Sequence, residues 1–120
     1  MEHETEIKTA RHGILNLTIK DKETLYKAYM PYIANGAIFI PTNKKYEMGD
    51  EIFMLLNLMD ELEKIAIACK VVWLTPAHAQ GNKTEGIGVQ FSEEDGPALR
   101  DKIEGYLAGM LASEKSNHTI

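Results

Sequence analysis

The sequence has one cysteine, one tryptophan and only two arginines, Arg11 and Arg100, in 120 residues. A single cysteine excludes an internal disulfide and any metal site built from several thiolates. No stretch approaches the ~18 consecutive apolar residues that a membrane-spanning helix needs, so membrane insertion is not expected. Thirteen Lys+Arg stand against 18 Asp+Glu, a net charge of −5. Gripping nucleic-acid phosphates requires a positive field, and this balance argues against a nucleic-acid partner. The first six residues, Met-Glu-His-Glu-Thr-Glu, are acidic and polar, the opposite of a secretion leader. The expectation is a cytoplasmic protein, a monomer when alone, of a length that fits one domain with a real core.

What is present is a succession of short apolar segments. Leu15, Leu17 and Ile19 alternate with Asn16, Thr18 and Lys20, the period of a half-buried strand. Asp21 is placed to cap a short helix in which Leu25, Tyr26, Tyr29 and Met30 share one face, stopped by Pro31. Asn35-Gly36 is the strongest turn dipeptide, and Ala37-Ile38-Phe39-Ile40 follows as a strand. Residues 51–58 are apolar on both faces, which predicts a strand covered on both sides. In residues 65–74, Ile65, Ile67, Cys69, Val71 and Trp73 fall on one face. Gly86, Gly88 and Gln90 alternate with Ile87, Val89 and Phe91, and glycines so spaced imply close backbone approach or a bend. A last helix begins either at Ser92 or at Asp95-Gly96-Pro97, with Leu99, Ile103, Tyr106, Leu107 and Met110 as its apolar stripe. Strands joined by short turns point to an antiparallel barrel or curled sheet. The expected organisation is a flexible arm over 1–12, a domain over 13–112 and a flexible tail over 113–120.

The search for chemistry is mostly negative. His3, His12, His78 and His118 are scattered without metal-ligand spacing. Cys69 reads as a small core hydrophobe and the acidic group Asp60, Glu61, Glu63 as a solvated turn. No catalytic residue, cofactor or metal site is expected, because no nucleophile, base and oxyanion site converge. The conspicuous feature is aromatic: Tyr26, Tyr29 and Tyr32 within seven residues. Tyrosine is enriched in interface cores, so partner binding is assigned to this cluster, against the plainer reading that two of the three pack on the barrel.

Several segments carry a resemblance. They include His12-Gly13-Ile14-Leu15-Asn16-Leu17, Tyr29-Met30-Pro31-Tyr32-Ile33, Gly49-Asp50-Glu51-Ile52-Phe53, Lys70-Val71-Val72-Trp73 and Gly86-Ile87-Gly88-Val89-Gln90-Phe91. Together with the tail Asn117-His118-Thr119-Ile120, this series resembles the PilZ domain family, in particular its degenerate subgroup from type IV pilus biogenesis. The resemblance implies a mostly-β fold: a six-stranded antiparallel β-barrel with a short N-terminal helix insertion and a C-terminal helix. Most PilZ domains receive cyclic di-GMP through Arg-x-x-x-Arg and Asp/Asn-x-Ser-x-x-Gly motifs. Here Arg11 is followed four positions on by Leu15; with Gly36 as the motif glycine, Pro31 and Ile33 stand at the Asp/Asn and Ser positions. Charge-assisted hydrogen bonds contribute ~1.5–3 kcal/mol each, and losing about three weakens binding by roughly 10³ or more.

The resemblance therefore implies a non-enzymatic adaptor in pilus assembly and twitching motility. Its implied partners are the extension ATPase PilB and a FimX-like EAL-domain protein that itself binds cyclic di-GMP. The expected partner-binding residues are Tyr26, Tyr29 and Tyr32, with Tyr26 as the ATPase-facing anchor and Tyr29 adjacent, and the tail residues His118, Thr119 and Ile120 plus a barrel edge for the second partner. The alternative is a cyclic di-GMP receptor with a non-standard site.

Overall fold

The protein is described by a computed structural model covering residues 13–77 and 84–119, with side chains described as far as residue 110. In chain order its elements are β1 (Ile14–Ile19), α1 (Lys22–Ala28), β2 (Tyr29–Met30), β3 (Ala37–Pro41), β4 (Glu51–Leu58), β5 (Ile65–Thr75), β6 (Gly86–Phe91) and α2 (Gly96–Thr119). The strands form one curled sheet, a half-barrel, in the order β1-β4-β5-β6-β3-β2. The mostly-β class and the flanking helices agree with the sequence reading.

The sheet is mixed rather than purely antiparallel. β1 runs parallel to β4, pairing Ile14 with Phe53 and Ile19 with Leu58, while every other pairing is antiparallel. The physical reason is connectivity. After β1 the chain crosses through α1 to the far edge before it returns to lay β4 beside β1. Alternation within β1 reports its buried face but not its direction.

The concave face holds the core. Ile52, Met54, Leu56 and Leu58 of β4 meet Ile67, Cys69 and Val71 of β5 and Ile87, Val89 and Phe91 of β6. Leu99, Ile103 and Leu107 of α2 cover them, spaced at i, i+4 and i+8 as one helical stripe. α1 adds Leu25, fully buried, and packs on α2 and β3. The Asp21 carboxylate accepts from the Thr24 N–H at 2.7 Å and the Thr24 hydroxyl at 3.0 Å, the expected cap.

Three expectations about the sheet need correction. The first helix ends at Ala28, and Tyr29–Met30 pair with Ile38 and Ala37 as a strand. Pro31 bars a helical Met30, and the free edge of β3 supplies hydrogen bonds instead. β4 is covered on its inner face only: Phe53 is exposed and Leu55 half-buried. Trp73 does not follow Val71 into the core. The β5–β6 register shifts between them, so that Val71 faces Val89 but Trp73 faces Gly88. One extra residue in a bulge reverses the side-chain phase, and Trp73 lies on the outer face, 44% exposed.

α2 begins at Gly96, with Pro97 in its first turn, and the Ser92 hydroxyl accepts from the Asp95 N–H in the preceding turn. Its backbone stays helical to Thr119, so the expected division at 112/113 is not marked by a change in secondary structure. The expected arm, 1–12, lies outside the described residues.

Candidate interaction surface

The six residues between β2 and β3 form the turn where a dinucleotide motif is expected from the resemblance. Asn35 and Gly36 both take positive φ, 66° and 87°, a conformation that asparagine tolerates and glycine adopts at no steric cost. A Cβ on Gly36 would come within 3.2 Å of the Phe91 ring and 3.4 Å of the Arg100 Cβ. The Phe91 N–H donates to the Gly36 carbonyl, and the Gln90 side-chain amide donates to the Ala34 carbonyl at 2.9 Å. The turn is thus fixed to β6 and α2 by its backbone. The side chains it presents at the motif positions are Pro31, exposed, and half-buried Ile33. Neither carries a side-chain donor for a phosphate or a guanine edge. Arg11 lies outside the described residues.

The three tyrosines separate. Tyr32, in this turn, is 72% exposed. Tyr26 is half-buried on α1 and packs against the core. Tyr29 is 5% exposed, and its hydroxyl donates to Glu104 Oε2 of α2 at 2.6 Å. Burial, and then the Glu104 hydrogen bond, push the Tyr29 phenol well above its usual range. Tyr29 therefore ties β2 to α2, and its ring is not open to a partner. Of the expected second set, His118 and Thr119 lie on the helical backbone of α2 with side chains outside the described residues, and Ile120 lies outside them altogether.

A second fastening holds α2 from the other side. Glu61, in the turn between β4 and β5, accepts from the Tyr106 hydroxyl and from Lys102 Nζ at 2.9 Å. These bonds, Tyr106 first and Lys102 second, hold its carboxyl below the ordinary range. The sequence reading left Glu61 as a solvated turn residue; 41 and 45 residues separate it from its partners, and no local pattern reveals such a contact.

The outer face carries what sequence reasoning missed. Trp73, Phe39 and Met30 meet over two glycines. A Cβ on Gly86 would strike the Phe39 ring at 2.6 Å and the Ile40 carbonyl, and one on Gly88 would meet the Trp73 Cβ at 2.8 Å and the Met30 Sδ at 3.0 Å. This is the close approach that the alternating glycines predicted. The available signal for the outward tryptophan was the unbroken apolar run Val71-Val72-Trp73-Leu74, which no single alternating phase accommodates.

Cys69 is buried, and burial pushes its thiol up to about 12, which makes it unreactive. Among the described residues no three His, Cys, Asp or Glu side chains come together as a metal site. Among them, too, no helix is long and apolar enough to cross a membrane.

A helix-backed half-barrel with a turn poised at one edge is the architecture of a small β binding domain. The sequence signature of the PilZ domain matches residues 14–109, and the chain belongs to the PilZ domain family. That family comprises cyclic di-GMP-related receptor and adaptor domains that are generally non-enzymatic. No curated protein matches the chain.

Proposed function

We propose that this PilZ domain is a cytoplasmic adaptor of type IV pilus assembly and twitching motility that works through protein contacts and does not itself bind cyclic di-GMP. Its partners in this reading are a PilB-type extension ATPase and a FimX-like EAL-domain regulator that carries the nucleotide. The observation that supports the reading is the turn over 31–36, which carries Pro31 and Ile33 where the resemblance places polar gripping side chains. An apolar, tyrosine-bearing turn suits polypeptide contact, where aromatic anchors dominate binding energy. The ATPase-facing surface is assigned to Tyr26 and Tyr32, with Tyr29 holding the strand between them. The second partner is assigned to the end of α2, around His118, Thr119 and Ile120.

The test is PilB affinity for Tyr26→Ala and Tyr32→Ala, with folding checked by thermal melting. A buried interface tyrosine is worth ~2 kcal/mol or more, about a thirtyfold loss in affinity. Unchanged affinity in both folded variants would remove this surface as the ATPase site.

A further inference from the structure

β6 ends at Phe91, but β5 begins four residues beyond its last partner in that lane. Pairing between the two strands starts at Cys69, and the Ser92 N–H to the Ala68 carbonyl is the final backbone bond on that side. Alternate residues of a strand direct their N–H and C=O to opposite neighbours. Val71 bonds toward β4, through Asp50 and Gly49, while Ala68 bonds toward β6. By the same alternation, Ala66 directs its backbone donor and acceptor into the lane that β6 has vacated. That lane is a groove of about 210 Å³ between β5 and the first turns of α2. Its floor is buried Ile67 and Leu99, exposed Ala66 and Ala98 lie at its mouth, and the side chains of Asp95 and Lys102 line it as well.

The groove is electrically polarised along its length. Asp95, three residues after the Ser92 that bonds Ala68, lines one end, and Lys102, which also holds Glu61 ahead of β5, lines the other. An unpaired strand edge recognises extended backbone, and apolar walls accept alternate side chains. We infer that the Ala66 groove is a strand-addition site for an extended segment of a partner protein, running antiparallel to β5. The charges specify the segment: a basic residue first, two apolar residues alternating about a polar one, then an acidic residue. The site is separate from the tyrosine-bearing turn and does not depend on the identity of the pilus partners.

The probe is the peptide acetyl-Lys-Val-Thr-Val-Glu-amide, titrated into the full chain and followed by amide chemical shifts. Millimolar binding centred on Ala66, Ala98 and Leu99 is expected for so short a segment. The charge-swapped peptide acetyl-Glu-Val-Thr-Val-Lys-amide should bind roughly fivefold more weakly, since two exposed ion pairs together contribute about 1 kcal/mol. Ala66→Pro deletes only the outward-facing N–H and should abolish binding. Ala98→Trp fills the groove from the helix side with the strand's sequence unaltered and should do the same, which decides the matter if the proline variant does not fold. Absence of shifts at these residues, equal binding of the two peptides, or undiminished binding by Ala98→Trp would overturn the inference.

Discussion

Strand β2 and the turn that follows it are adjacent in sequence and opposite in physical character. Tyr29 is enclosed and hydrogen-bonded to α2; Tyr32, three residues on, is largely in solvent. Met30 between them is buried too, but on the outer face against Gly88. The strand is therefore held from both sides of the sheet, and the turn is held by its backbone while its side chains face outward. A tyrosine cluster in a sequence is consequently two things here: residues that build the domain, Tyr29 fully and Tyr26 in part, and one, Tyr32, that is exposed.

The largest test of that contrast is Tyr29→Ala. Truncating a buried aromatic costs about 3–5 kcal/mol, and chemical denaturation should report a loss of that size; a loss below about 1 kcal/mol would break the distinction. Next comes Gly88→Ala, which forces a methyl against Trp73 and Met30 and should destabilise by about 1–3 kcal/mol. Tyr29→Phe keeps the ring and removes only the hydrogen bond to Glu104, so about 1 kcal/mol is expected. Smallest is Tyr32→Ala, whose stability should stay within about 0.5 kcal/mol of the parent.

Alkaline pH tests the enclosure of Tyr29 without mutation. The folded Tyr29 phenol titrates above its ordinary value of 10.0, so the unfolded chain ionises first. The stability it contributes is complete below pH 10 and is lost as pH rises further. Cys69 acts with the same sign from 9.0 up to about 12. Denaturation midpoints measured from about pH 8 upward should fall. Tyr29→Phe and Cys69→Ala should each flatten that fall.

Much of this fold was legible because local patterns set it. The alternation in β1, the Asp21 cap, the Asn35-Gly36 turn and the Leu99, Ile103, Leu107 stripe each follow from neighbours within a few residues. The parallel β1–β4 pair was not legible, because strand direction depends on where the chain returns. Nor was the outward Trp73, since one bulge residue reversed a phase that alternation had carried correctly from Ile65 to Val71. At the candidate surface, the apolar character of the turn was readable directly at Pro31 and Ile33. Which tyrosine would be enclosed was not, because Glu104, the partner of Tyr29, is 75 residues away.

The proposed adaptor role requires that the turn over 31–36, with Pro31 and Ile33 in place of polar side chains, does not hold a charged dinucleotide. Isothermal calorimetry of the full chain with cyclic di-GMP tests it most directly. The account predicts no saturable heat at ligand concentrations up to about 100 μM, as a roughly 10³-fold loss from a micromolar receptor requires. A micromolar, one-to-one isotherm would contradict it.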